Sequence, residues 1–408
     1  MPEIESLFEE MGYGVAYKHP AKVYKDRLTR CRKLMEAKGI DALLIYSGQM
    51  EGLGREWARY FFNHAFPYWC GDAFVLIPMD GEPVLSLNFP FMLELAALAS
   101  PFKDIRTHVG RFQNESTYGG MARFLGDLLK EKKLQRAKIG ICIAGQQGPY
   151  IHFEIYEAMK RGCKGAKIVD ATQLLFDLIE QKTDYDIAMI EDTCRVGDAG
   201  MKAALEAVEE GQREYETYLA YQRAVMDLGG ETPLWHYVMA SGPSCEFPLR
   251  PFSGTGRKIR KGDFVMIDAA VCYKGYYIDH TRTAVVGPPS PEQRRLFDAT
   301  RETLDAMVDV SKVGTKCSEI GNALLKTVKR NGYEKIHPLM GHGTGIMANE
   351  PPYIMPWNPF PLKKDMAINF EPAIYVPKLG GVRIEDPYLV TTKGLRRLTK
   401  LDQGLYIA

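Results

Sequence analysis

Two periodicities alternate along the first part of the chain. Leu28, Cys31, Leu34 and Met35 fall at helical spacing, and Gly39 closes that helix. The segment Ile40-Asp-Ala-Leu-Leu-Ile-Tyr46 then predicts a buried strand. Strands over 72–78 and 83–87 are joined by a Met-Asp-Gly-Glu turn. A helix over 121–133, a strand over 138–143 and a helix over 152–161 continue the alternation. Strands alternating with helices mean an α/β domain, whose end is placed at Lys182.

Beyond that point the pattern changes. A helix over 184–210, with Ile187, Ile190, Val196, Met201 and Leu205 on its apolar face, is expected to end at Gly211. A second helix over 214–228 stops at Gly229-Gly230. Strand patterning occupies 264–286, and helices return over 291–310 and 317–331. From Met366 onward the chain reads as strands and turns. Residues 183–408 thus form an α+β domain, with helices covering a mainly antiparallel sheet, behind an α/β domain of residues 1–182.

Composition narrows the function classes. A chain of 408 residues suits two domains. Lys+Arg total 52 against Asp+Glu 51, a balance that argues against nucleic acid as the main partner. Eight cysteines without a CxxC exclude a zinc ribbon and a thioredoxin-like redox motif, and scattered thiols fit a reducing compartment. No apolar stretch of about 18 residues is present, so no membrane span is expected. The acidic N-terminus lacks the apolar centre of a secretory signal, and a cytoplasmic setting is expected.

The informative segments carry carboxylates inside apolar strands. Asp268 follows the apolar run 264–267, and Asp279 follows Tyr276-Tyr277-Ile278. With a hairpin turn at Tyr273-Lys274, Asp268 and Asp279 directly oppose each other, with Cβ atoms roughly 4.5–5.5 Å apart. Two half-buried carboxylates that close cannot both stay ionised without a shared proton or a cation. The construction recurs at the C-terminal end, where Glu371 faces Glu385 about Lys378, beside Gly380-Gly381. Between the pairs, Met340-Gly-His342-Gly-Thr-Gly345 brings a histidine close to backbone.

Any one of these residues has an ordinary reading as a surface or hydrogen-bonded group. Together, four carboxylates and one imidazole suit two divalent cations. An oxygen-rich set with one nitrogen and no thiolate favours Mn, Fe or Co, with Zn possible, over a structural zinc site.

These segments resemble the M24 metallopeptidases, the creatinase, aminopeptidase P, prolidase and methionine aminopeptidase family. The resemblance rests on Asp268, Asp279-His-Thr-Arg-Thr, Gly-His342-Gly, Phe-Glu371-Pro-Ala-Ile-Tyr and Gly-Gly-Val-Arg-Ile-Glu385-Asp, in that order, and covers about residues 184–408. The N-terminal domain is similar to the creatinase-type domain in element order. The resemblance implies a pita-bread catalytic fold and a homodimer in which the N-terminal domain of one subunit borders the other's active site. It also implies that Asp268, Asp279, His342, Glu371 and Glu385 are metal ligands. In that family reading Glu371 shuttles a proton, Thr281 hydrogen-bonds near the metals, and Arg383 orients ligand carboxylates or contacts substrate.

Departures from the family pattern shape the functional expectation. Peptidases of the family carry two further histidines. At those places this chain has Asn349, in Ala348-Asn349-Glu350, and Pro251, after Pro248-Leu-Arg250. Asn donates a hydrogen bond but does not titrate near neutral pH. His236 and His337 read as ordinary loop histidines, with replacement of the missing imidazoles as the alternative. Arg250, Asn349 and Arg383 are candidate substrate contacts.

The leading expectation is a metal-dependent hydrolase that cleaves an amide, C–N or related bond of a small polar substrate. The alternatives are an Xaa-Pro dipeptidase or aminopeptidase, a C–S lyase of the dimethylsulfoniopropionate type, and a non-catalytic binding protein. Ala270, where an additional lyase carboxylate might be sought, weakens the lyase reading. The dense aromatic group Trp57, Tyr60, Phe61, Phe62, Phe66, Tyr68 and Trp69 reads as core or inter-subunit packing, or as a wall for a cationic substrate.

Overall fold

Among the described residues of 1–179, strands alternating with helices build a mixed six-stranded sheet and a short two-stranded ladder. The computed structural model describes residues 17–48, 56–64, 73–108, 117–145, 148–149, 151–231, 237–247 and 255–408. Two units divide the chain between Ile179 and Glu180, a few residues ahead of the boundary read at Lys182.

In the first unit, helix α1 (Ala21–Ala37) buries Tyr24, Arg27, Leu28, Cys31 and Met35, the face that its spacing predicts. The sheet comprises β1 (Ala42–Ser47), β2 (Ala73–Pro78), β3 (Val84–Leu87), β4 (Ile105–Thr107), β5 (Lys138–Cys142) and β6 (Lys167–Asp170), in the order β4-β3-β2-β1-β5-β6. Strand β1 pairs antiparallel with β2 and parallel with β5, and all its positions are buried. This is why it reads as an unbroken apolar run. Helices α2 (Thr117–Glu131) and α3 (Phe153–Gly162) contribute Met121, Leu125, Ile155 and Met159 to one core with Leu44, Tyr46 and Ile139. Trp57, Tyr60, Phe61 and Phe62 are buried on one short helix, and Arg27 lies 4.2 Å from the Tyr60 ring centre. These four rings are core, and the cation that Tyr60 meets belongs to the chain itself. Phe66, Tyr68 and Trp69 lie outside the described residues.

The second unit opens with α4 (Asp184–Glu206), capped by a reciprocal pair in which Asp186 N–H donates to Thr183 Oγ1 and Thr183 N–H to Asp186 Oδ2. The helix stops at Glu206, short of the expected 210. Gly211 serves instead in the following turn, where its N–H donates to Ile259 O. Helix α5 (Glu214–Asp227) precedes β7 (Tyr237–Ser241), β8 (Phe264–Tyr273) and β9 (Tyr276–Val285). After them come α6 (Pro291–Val310) and α7 (Cys317–Arg330), then β10 (Gly341–Gly343), β11 (Ala367–Phe370), β12 (Ala373–Val376), β13 (Gly380–Arg383), β14 (Asp386–Thr391), β15 (Gly394–Arg397) and β16 (Tyr406–Ile407). A helix pair followed by strands thus occurs twice.

Among the described residues two four-stranded sheets result, β16-β9-β8-β7 and β10-β11-β14-β15, with β12-β13 as a separate hairpin. Phe264, Met266 and Val285 join Leu296, Leu304, Ile320, Leu324, Ile368, Phe370 and Ile374 in one core. Among the described residues no helix is long and apolar enough to cross a membrane.

Candidate metal centre

Strands β8 and β9 deliver the first two carboxylates. Their turn is Lys274-Gly275, with φ +53° and +82°, the sign that a two-residue hairpin turn requires at both positions. The register therefore differs by two residues from the expected one: Asp268 faces Thr281, and Asp279 faces Ala270. Asp268 and Asp279 are diagonal neighbours on one face, rather than a directly opposed pair. Thr281 and Thr283 share that face, while His280 and Arg282 point to the other.

The second pair keeps its expected centre. Strand β12 pairs with β13 so that Ala373 faces Arg383 and Val376 faces Gly380, about Lys378 at φ +66°. Glu371 and Glu385 lie just beyond the paired segment, held by other partners. Glu371 N–H donates to Met340 O. Glu385 and Thr281 exchange backbone hydrogen bonds at 3.1 and 3.3 Å, which fixes Glu385 against β9. His342, on β10, faces Asn369 of β11.

These elements converge. Asp279, His342 and Glu385 each offer one ligand atom within 4.8 Å of the others, and all three are buried. His342 Nε2 lies 3.4 Å from Glu385 Oε1, 3.8 Å from Glu371 Oε1 and 3.9 Å from Asp279 Oδ2. Its Nδ1–H donates to Gly343 O at 2.9 Å, so the Nε2 lone pair is the one presented to the carboxylates. Glu371 Oε1 is buried and accepts no hydrogen bond among the described residues. A buried acceptor without a donor, amid carboxylates and an imidazole nitrogen, suits a cation. Asp268, outside that three-residue group, pairs with Arg383, whose Nη1 lies 2.5 Å from Asp268 Oδ2.

The electrostatics follow from crowding. Burial, reinforced by Glu385, Asp268 and Asp279, pushes the Glu371 carboxyl well above the usual carboxylate range, against the pull of Arg383. Burial opposes a charged His342, but Glu385, Asp279 and the Gly343 carbonyl outweigh it and raise the imidazole pKa.

Other polar groups steady the set. Thr281 Oγ1 donates to Glu385 Oε2 at 2.8 Å. Asn369 Nδ2 donates to Glu385 Oε1 at 2.9 Å and to Asp279 O at 2.7 Å. In the sequence Asn369 is marked only by being a lone amide in the apolar run Ala-Ile-Asn-Phe. Asn349 Nδ2 lies 3.4 Å from Asp279 Oδ2. Arg383 is 1 % exposed, and its guanidinium is engaged by Asp268 and by Tyr375 Oη at 2.8 Å.

His337, read as an ordinary loop histidine, is buried with Nδ1 2.7 Å from Leu339 O and 3.4 Å from Glu371 Oε2. Burial, with Arg383 nearby, lowers its pKa to about 3 and keeps the ring neutral. Arg250, Pro251 and His236 lie outside the described residues.

The Arg383–Asp268 pair gives a stability prediction. In chelated protein, Arg383→Met leaves the Asp268 carboxylate without its guanidinium, at an expected cost of about 3–5 kcal/mol. Urea unfolding would show it as a lower midpoint at an unchanged slope. An unchanged midpoint would mean that Asp268 does not depend on this partner.

A family model for metallopeptidase family M24 matches residues 188–392, and one for the creatinase/prolidase N-terminal domain matches residues 27–178. An Xaa-Pro dipeptidase from Pyrococcus furiosus is 37% identical over 248 residues, 60% of this chain and 70% of that protein. Among solved structures, an Xaa-Pro dipeptidase from Bacillus anthracis aligns with a TM-score of 0.77 at 25% identity, over 94% of this chain and 100% of that one. A prolidase from Pyrococcus furiosus aligns with a TM-score of 0.73 at 27% identity, over 91% and 99%.

Proposed function

We propose, since this chain belongs to metallopeptidase family M24, that it hydrolyses the Xaa–Pro bond of a dipeptide. Its creatinase-type domain and pita-bread catalytic domain are those of the family, and it is a metal-dependent hydrolase. The observation that carries the proposal is the convergence of Asp279, His342 and Glu385 with the donor-free Glu371 oxygen, in a chain 37% identical to an Xaa-Pro dipeptidase.

In this reading Asp268, Asp279, His342, Glu371 and Glu385 hold two divalent ions, with Mn, Fe or Co suiting the donor set better than Zn. Bound there, the ions supply an activated water and polarise the scissile carbonyl. Glu371 would take a proton from the attacking water and later deliver it to the leaving proline nitrogen. Thr281 fixes Glu385 through its hydroxyl, and Arg383 fixes Asp268. In this reading Asn349 donates to the substrate carbonyl, and Arg250 remains a candidate for the substrate carboxylate. The protein is read as a cytoplasmic homodimer. The seven described cysteines, all buried and unbridged, support a reducing setting.

Incubating metal-loaded protein with Met-Pro and Mn²⁺ or Co²⁺, and following release of proline, tests the reading. Robust turnover is expected. No turnover of any Xaa-Pro dipeptide at full metal loading would favour the second reading, hydrolysis of another small polar amide. Asn349 motivates that second reading, because it stands where peptidases of the family carry an imidazole. Asn349→His is expected to raise kcat/KM on Met-Pro and to add a pH dependence near the histidine pKa of about 6.5. A pH–rate profile of both forms checks this, and identical profiles would remove Asn349 from the reacting groups.

A further inference from the structure

We infer that Lys182 is a positioning residue for the loop that carries His342 and Asn349, an inference that deepens the proposed hydrolase reading and rests on it. The loop starts at β10 and closes on itself. Gly343 and Glu350 exchange backbone hydrogen bonds, both 2.7 Å long. Glu350 then turns its side chain into the loop. Its Oε1 accepts from Ile346 N–H at 2.6 Å and Met347 N–H at 3.1 Å. Its Oε2 meets Lys182 Nζ at 2.6 Å. The two side chains are 5% and 0% exposed, so the pair is buried.

Lys182 reaches the loop from a fixed base. Its N–H donates to Asp365 O at 2.8 Å, and the next residue, Thr183, caps α4. The fit is close at Gly345. A Cβ there would lie 2.9 Å from Lys182 Nζ and 3.0 Å from Cε. On its other side the loop is tied to β9. Tyr277 N–H donates to Gly345 O at 2.5 Å, and Thr344 Oγ1 donates to Tyr277 O at 2.9 Å.

These ties meet β9 two residues before Asp279, and Asn349 Nδ2 lies 3.4 Å from the Asp279 carboxylate. The Glu350 carboxylate therefore holds the middle of the loop, between the imidazole of His342 at its start and the amide of Asn349 at its close. A buried carboxylate needs a compensating cation to stay in that geometry, and Lys182 supplies it.

A purely structural pair would lower stability and leave the folded enzyme unchanged. The test therefore compares Lys182→Met, Lys182→Arg and the double variant Lys182→Met/Glu350→Gln, all below their unfolding midpoints. Titration calorimetry with Mn²⁺ alone is expected to show affinity for Lys182→Met weaker by roughly 10–100-fold. On Met-Pro at saturating Mn²⁺, its kcat is expected to fall more than KM rises. Amide hydrogen exchange is expected to speed up at Ile346 and Met347 while α4 keeps its protection.

The arginine variant retains a cation and should recover part of the loss. The double variant keeps an uncharged acceptor for the two loop N–H groups and should be better ordered than Lys182→Met. If Lys182→Met does not fold, the double variant carries the test, with weaker Mn²⁺ binding than the parent as the supporting result. Parent-like Mn²⁺ affinity, kcat and loop exchange in the folded variant, with only the melting temperature reduced, would overturn the inference. Failure of the parent on every proline dipeptide would sink the substrate reading instead. The positioning role would then stand or fall on calorimetry and exchange.

Discussion

Glu371→Gln is expected to lower kcat on a proline dipeptide by roughly 10²–10⁴-fold, the range that positioned proton transfer contributes. The substitution keeps shape and one oxygen but removes the ability to carry a proton. The position suits a shuttle. Glu371 is 4% exposed, its Oε1 lies 3.8 Å from His342 Nε2, and its Oε2 lies 3.4 Å from His337 Nδ1. In the metal-free protein, burial and three nearby carboxylates raise its pKa, so a proton and a cation compete for this carboxyl group. Loss of one negative charge also weakens cation binding. The comparison is therefore made at saturating Mn²⁺, with metal content measured by mass spectrometry and folding by circular dichroism. Near-parental turnover at equal metal content would move the proton to another group, and His337 would be the first to examine.

The two acidic hairpins were legible because a carboxylate inside an apolar strand is conspicuous. The centre at Lys378 was found correctly because the segment is symmetric about it. The first register slipped because the turn was centred on Tyr273-Lys274. The glycine at 275 marks the second turn position, where φ is +82°, and only Lys274 pays the cost of a positive φ with a side chain. Local sequence thus held the answer, and turn chemistry decides it.

Other features were not legible because they are non-local. Asn369 is brought to Asp279 by the pairing of β10 with β11 and the approach of β9, segments about 90 residues apart. His337 looked like a loop residue because it follows no periodic run. The fold buries it through hydrogen bonds from its backbone to Ala373 and from its ring to Leu339. The Lys182–Glu350 pair spans 168 residues, and no spacing rule connects its two members.

Removing the metal should change both activity and stability, and the second change should depend on pH. Chelation is expected to abolish turnover. Returning Mn²⁺ at about 100 times its dissociation constant should stabilise the native state by about 2.7 kcal/mol. The sign with pH follows from the raised groups. In metal-free protein the Glu371 and His342 pKa values lie above their ordinary values. Their protonated forms stabilise the apo fold at low pH, and that contribution is lost as pH rises through the folded-state pKa values. Bound cations compete with those protons, so loading releases protons and strengthens as pH rises. His337 acts in the opposite direction. Its pKa is lowered to about 3, so stability of the metal-free protein falls as pH drops below the ordinary histidine range. The difference in melting temperature between Mn²⁺-loaded and chelated protein, compared above that range, reports on the ligand cluster. It is expected to widen as pH rises, with proton release seen by calorimetry in buffers of different ionisation enthalpy. A constant difference without proton release would mean that neither Glu371 nor His342 gives up a proton to the metal.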